Sequence, residues 1–93
     1  TGIRRVMQRA PIDDAMRARA QAFASGSKAV FLAISEDPPS ILLAASEDSG
    51  IHAGNRVKEF VGSRGGRGGG NPSLAQGSVK SSGELQGIEA LLR

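Results

Sequence analysis

The chain has no cysteine, no tryptophan and no tyrosine, and its only aromatic residues are three phenylalanines among 93 residues. Without cysteine there is neither a disulfide nor a thiolate metal site, which fits an intracellular setting, cytoplasm or organellar matrix. The single histidine, His52, has no second imidazole or thiolate to complete a zinc site; in a loop before a helix it reads as a surface or capping residue. No apolar run approaches the about 18 residues of a membrane-spanning helix, and no basic n-region followed by an apolar h-region opens the chain. A G-x-S-x-G elbow is missing. The carboxylate pairs Asp13/Asp14, Glu36/Asp37 and Glu47/Asp48 fall where caps and turns are expected. We therefore expect no catalytic residues, no metal, no cofactor and no membrane partner.

The length suits one domain spanning 1–93, with a modest core built from Ala, Val, Ile and Leu. The first residue is Thr1 rather than Met, so we expect a fragment of a longer protein. The net charge of +3 is unevenly laid out. Arg4, Arg5 and Arg9 make the start basic, and six carboxylates outweigh Arg17, Arg19 and Lys28 over 10–53. Over 54–80, Arg56, Lys58, Arg64, Arg67 and Lys80 face only Glu59. A basic stretch of this kind attracts polyanions, although a solvated face of no functional meaning is compatible with the charge alone.

Residues 2–8 suggest a short edge strand closed by Pro11. Asp13 is placed to N-cap a helix over about 13–25, in which Met16, Ala20, Phe23 and Ala24 share a face and Gly26 stands at C′. The run Ala29–Ile34 and the run Ile41–Ala45 read as two buried strands, joined by a Glu36–Ser40 turn into an antiparallel hairpin. Val57, Phe60 and Val61 define a helix over about 54–62, ending at Gly62. A Gly-rich loop follows, then a brief strand Leu74–Gln76. Ser81 and Glu84 form a capping-box pattern before a terminal helix with Leu85, Ile88, Leu91 and Leu92 on its apolar face. The expected fold class is α+β: a small, mainly antiparallel sheet packed with about three helices.

The Gly-rich segment carries the functional signal. Five of the six residues from Gly65 to Gly70 are glycine. Ordering such a segment is costly in backbone entropy, but consecutive N–H groups free of Cβ atoms can form an anion-binding concavity. Arg64 and Arg67 add guanidinium donors matched to phosphate. The segment is not a Walker A loop, because Asn71-Pro72 follows Gly70, and it does not lie between a strand and a helix as a dinucleotide fingerprint does. A flexible linker or RGG-like tail is the alternative, yet the pattern occurs once and a structured tail follows it. The candidate nucleic-acid-binding set is Arg64, Gly65, Gly66, Arg67, Gly68, Gly69, Gly70, Asn71 and Gln76, with Lys58 and Lys80 flanking.

The run Gly65-Gly66-Arg67-Gly68-Gly69-Gly70-Asn71-Pro72-Ser73-Leu74-Ala75-Gln76-Gly77 resembles the signature of the DHH-associated domain, in the version found at the C-terminus of alanyl-tRNA synthetases. That pattern reads Gly-Gly-(Lys/Arg)-Gly-Gly-Gly-(basic)-Pro-x-x-Ala-Gln-(Ala/Gly), and Asp13, Asp14, the apolar hairpin and His52-Ala53-Gly54 agree more loosely upstream. The resemblance implies a tRNA-binding module that holds the outer corner of tRNA in support of aminoacylation and editing. The parent would be an alanine–tRNA ligase of protein biosynthesis, and this piece would not itself be an enzyme. Its implied partners are tRNA, the remainder of the parent synthetase and a second copy in a homodimer. Related domains in DHH phosphoesterases, whose motif commonly reads Gly-Gly-His-x-x-Ala-Ala-Gly, offer a second reading as the substrate-holding half of such an enzyme; a dimerisation domain is the third. Asn71 and Ser73 depart from the basic residue and the Asp usual in the family.

Overall fold

A computed structural model of the chain describes residues 4–26, 28–36, 39–85, 87 and 88. Five strands form one sheet: β1 (Arg4–Arg9), β2 (Ala29–Glu36), β3 (Pro39–Ala45), β4 (Arg67–Gly70) and β5 (Leu74–Ser78), in the order β1-β2-β3-β5-β4. Two α-helices flank it, α1 (Asp14–Ala24) and α2 (Ala53–Gly62).

The sheet is mixed rather than mainly antiparallel in the sense expected, because β1 pairs with β2 in parallel. The cause is the connection. A helix between two strands returns the chain to the starting edge, and β1-α1-β2 is such a crossover. The β2–β3 hairpin is antiparallel as expected, with Leu32 opposite Leu43 and pairing continuing to Glu36 opposite Pro39. Pro39 is tolerated as the first residue of its strand, and its carbonyl accepts the Val79 N–H at 3.0 Å.

Period-two alternation sorts the buried strands onto two cores. Val30, Leu32, Ile34, Ile41, Leu43 and Ala45 face α2, where Val57, Phe60 and Val61 meet them. Phe31, Ala33, Leu42 and Ala44 face Met16 and Ala20 of α1. The result is a helix–sheet–helix sandwich in which α1 lies over β2 and β3, and α2 lies over β3, β5 and β4.

Both helix starts follow the sequence. Asp13 accepts the Met16 N–H at 2.8 Å, and the His52 Nδ1 accepts the Asn55 N–H at 3.1 Å, so the lone histidine is an N-cap. Gly26 stands at C′ of α1, after the C-cap Ser25, as expected, but without a left-handed backbone. Ser25 and Gly26 close back on Gln21 and Phe23 carbonyls, and the left-handed residue of this turn is Lys28, φ 49°, whose N–H is held by the Asp48 carboxylate.

Among the described residues there are two α-helices, not three. After β5 comes a 3-10 turn over Ser82–Leu85, from which Leu85 together with Ile88 packs into the α2-side core. These two residues are therefore buried within the chain rather than offered to a partner. Leu91 and Leu92 lie outside the described residues.

Gly54, Gly68 and Gly77 let α2 sit directly on the β4–β5 hairpin. A Cβ at Gly54 would stand 2.6 Å from the Gly70 carbonyl oxygen, one at Gly68 3.0 Å from a Val57 methyl, and one at Gly77 2.9 Å from the same methyl. Gly54→Ala should accordingly destabilise the chain by about 1–3 kcal/mol through overpacking against backbone. Helix propensity alone would predict the opposite sign. Gly62→Ala, where a Cβ meets nothing within 4 Å, should leave stability unchanged or raise it by at most about 1 kcal/mol. Urea unfolding of both variants decides between packing and propensity.

Candidate nucleic-acid interface

The Gly-rich segment is not a loop. Its first residues end α2 and its remainder is the edge strand β4. Gly65 takes a left-handed conformation, φ 75°. Its N–H donates to the Gly62 carbonyl at 3.3 Å, and the Gly66 N–H donates to the Val61 carbonyl at 2.7 Å. This is the Schellman closure of a helix, for which glycine is favoured at C′. These two amides are thus occupied, and the concavity of consecutive N–H groups expected from the sequence does not form.

From Arg67 the chain is extended and pairs antiparallel with β5: Arg67 opposite Ser78, Gly68 opposite Gly77, Gly69 opposite Gln76 and Gly70 opposite Ala75. The Asn71 N–H donates to the Leu74 carbonyl at 3.0 Å. The alternation of an antiparallel ladder then turns the Arg67 and Gly69 polar groups towards β5 and those of Gly68 and Gly70 towards the open edge. Glycine is a poor strand former by propensity, which is why the sequence reads as a loop.

The turn between the strands is built by Asn71. Its Oδ1 accepts from the Ser73 N–H at 3.0 Å, the Ser73 hydroxyl at 3.0 Å and the Leu74 N–H at 2.8 Å. The carbonyls of Asn71 and Pro72 in turn accept the Gly54 and Ala53 N–H groups at 3.0 and 2.9 Å. The first donors of α2 are satisfied by this turn and by His52, so that helix start does not present them to an anion.

Side chains from this segment diverge to two sides. On the side covered by α2, the Arg64 guanidinium lies 3.8 Å from the Phe60 ring centroid and donates to the Phe60 carbonyl and the Ser63 hydroxyl. Lys58 is exposed on the outer surface of α2, and the Lys80 side chain passes beside Gly65. On the other side α1 reaches β5 at Leu74, which packs on its core, and through Arg17 to Gln76. Here Arg67 and Gln76 line an open groove of ≈ 520 Å³ together with Pro11, Ile12, Ser35, Ser40 and Ser78. No carboxylate lines it. Gly69 faces the same side; a Cβ there would meet nothing within 4 Å, and it is the backbone, at φ 158°, that favours glycine.

One further residue joins this surface that the sequence did not point to. Arg17 of α1 donates its Nε–H to the Gln76 Oε1 at 3.0 Å, and its Nη1 to Asp14 at 2.9 Å. A separation of 59 residues hides the pair from any spacing argument; the only trace in the sequence is that Arg17 lies one turn beyond the Asp13 cap.

Residues 13–93 match the family model of the DHHA1 domain. The chain belongs to the DHHA1 domain family. A solved structure described as the C-Ala domain from Aquifex aeolicus alanyl-tRNA synthetase superposes with a TM-score of 0.66 at 20% sequence identity, covering 97% of this chain and 89% of that one. At that identity the likeness is one of fold. No curated protein matches the chain. Among the described residues no helix is long and apolar enough to cross a membrane.

The Asn71 turn gives a test by substitution. Asn71→Ala and Asn71→Lys, the latter restoring the charge that relatives carry, both remove the acceptor and should cost about 1–2 kcal/mol. Asn71→Asp keeps an acceptor in place and should unfold close to the parent chain. Thermal unfolding of the three variants checks the order.

Proposed function

We propose that this chain is the tRNA-binding module of an alanyl-tRNA synthetase, a piece of a larger protein that holds tRNA by its sugar-phosphate backbone while aminoacylation and editing proceed on other domains. The observation that carries this reading is one face of the β4–β5 hairpin: Arg67 of the edge strand and Gln76 of its neighbour β5 line the same groove, and no carboxylate lines it. Membership of the DHHA1 family and the fold shared with a synthetase C-Ala domain support the assignment to tRNA. The motif supports it too. Gln76 belongs to the Ala-Gln form of the signature, and its bond to Arg17 gives that glutamine a role an alanine could not fill.

The contacts differ from those the sequence alone suggests. Arg67 is the cation best placed to reach phosphate. Arg64 is engaged with α2, so its contribution is to the end of that helix, and Asn71 builds the hairpin turn. Gly68 and Gly70 offer edge N–H groups as individual donors rather than as a nest.

A salt titration with tRNA tests the reading, since contacts to phosphate release counterions and affinity must fall as salt rises. Arg67→Met should weaken binding and reduce the slope of log K against log salt by about one. Arg64→Met should lower stability with little change in that slope. An affinity for tRNA that is indifferent to salt, or unchanged by Arg67→Met, would sink the proposal.

A further inference from the structure

We infer that Arg17 is a positioning residue for RNA binding: by holding the Gln76 carboxamide oxygen it orients the Gln76 amino group, so that the ligand atom meeting that amino group is an acceptor, a non-bridging phosphate oxygen held jointly with Arg67. The inference rests on the tRNA-binding reading above and names the atoms that carry it.

The chemistry is decided by the donor at Arg17. A guanidinium has N–H donors and no acceptor, so the Gln76 atom lying 3.0 Å from the Arg17 Nε must be the carboxamide oxygen. The amino group of Gln76 then points away from Arg17. Because Gln76 lines the groove that also holds Arg67 and Ser78, that amino group is available there as two N–H donors. A neutral glutamine free to rotate would present either end; the bond from Arg17 fixes which end is the oxygen and which the amino group. The neighbours at the groove are a guanidinium and hydroxyls, with no carboxylate to compete for the ligand. Donors from Arg67, Gln76 and serine converging on a carboxylate-free groove suit an oxyanion with several acceptors, and a backbone phosphate has that form.

Arg17 itself is poorly placed to be the phosphate contact. It does not line the groove, and its Nε–H and one Nη1 N–H are directed to Gln76 and Asp14. Its effect on the ligand should therefore pass through Gln76 rather than through counterion release.

This separation is measurable by titrating tRNA against the chain over a range of salt. Gln76→Glu retains a partner for Arg17 but presents oxygen where N–H stood, and should weaken tRNA binding about ten- to a hundredfold. Arg17→Met should weaken binding about three- to tenfold with the salt slope unchanged. In the Gln76→Ala background Arg17→Met should have no further effect, since the two residues act as one unit. Urea unfolding identifies which variants are folded and enter the comparison; Gln76→Glu, which can pair with Arg17 by charge, remains informative if Arg17→Met does not fold. The inference is overturned if Gln76→Glu binds as well as the parent chain, or if Arg17→Met lowers the salt slope by about one as a direct phosphate contact would. A salt slope that Arg67→Met leaves untouched would instead remove the tRNA-binding reading itself.

Discussion

The architecture depends on one close approach, that of α2 to the β4–β5 hairpin. Gly54, Gly68 and Gly77 bring backbone to backbone, so that Val57 and Val61 rest where side chains of the hairpin would otherwise stand. Interiors pack densely and give little room for an added methyl. The glycines of this segment thus divide by cause. Those facing α2 are required by packing, and Gly65 by the left-handed end of the helix. Gly69 meets nothing that would exclude a Cβ, but its φ of 158° is a backbone conformation that favours glycine. Concentration of glycine is therefore not in itself a sign of ligand binding, since packing or backbone conformation accounts for these positions.

The same contact explains how a departure from the family pattern is absorbed. The Asn71 carboxamide ties the hairpin turn together while the carbonyls of Asn71 and Pro72 cap the first amides of α2. A basic side chain could reach solvent from this position but could not accept those hydrogen bonds. Here the residue serves the turn, and the α2 start is closed by protein groups. Positive charge for a ligand must then come from elsewhere, and Arg67 supplies it on the groove side.

Much of the fold was legible in the sequence, for identifiable reasons. The two apolar runs became β2 and β3 because continuous burial on both faces leaves no other reading for segments so short. Asp13 and the Val57, Phe60, Val61 spacing located α1 and α2 to within a residue or so. Three features were not legible. The parallel pairing of β1 depends on where a crossover lands, which local pattern does not encode. Strand β4 is almost free of side chains and so has no alternation to read. Ser81 and Glu84 suggested a full helix, whereas the described residues there form a 3-10 turn, with 89–93 outside them. At the candidate site the motif located Arg67 and Gln76 but grouped them with Arg64, Lys58 and Lys80, which the fold places on the α2 side. Arg17 was missed because its partner is distant in sequence.

That division of charge bears on how such a module would work. Five basic residues over 54–80 look like one patch on paper, but of these only Arg67 lines the groove, while Arg64 lies on Phe60 of α2. Electrostatic affinity scales with the number of phosphates neutralised, so on the proposed tRNA-binding reading this surface would hold RNA only weakly by itself. Weak contacts are sufficient for a domain tethered to a larger RNA-binding protein, because the link converts the second contact into an intramolecular one at an effective concentration of about millimolar. Selectivity in such a device would rest less on charge than on geometry. On the proposed reading, a donor oriented by Arg17 beside the β4 edge would discriminate by where acceptor oxygens lie while contributing little to the total binding energy.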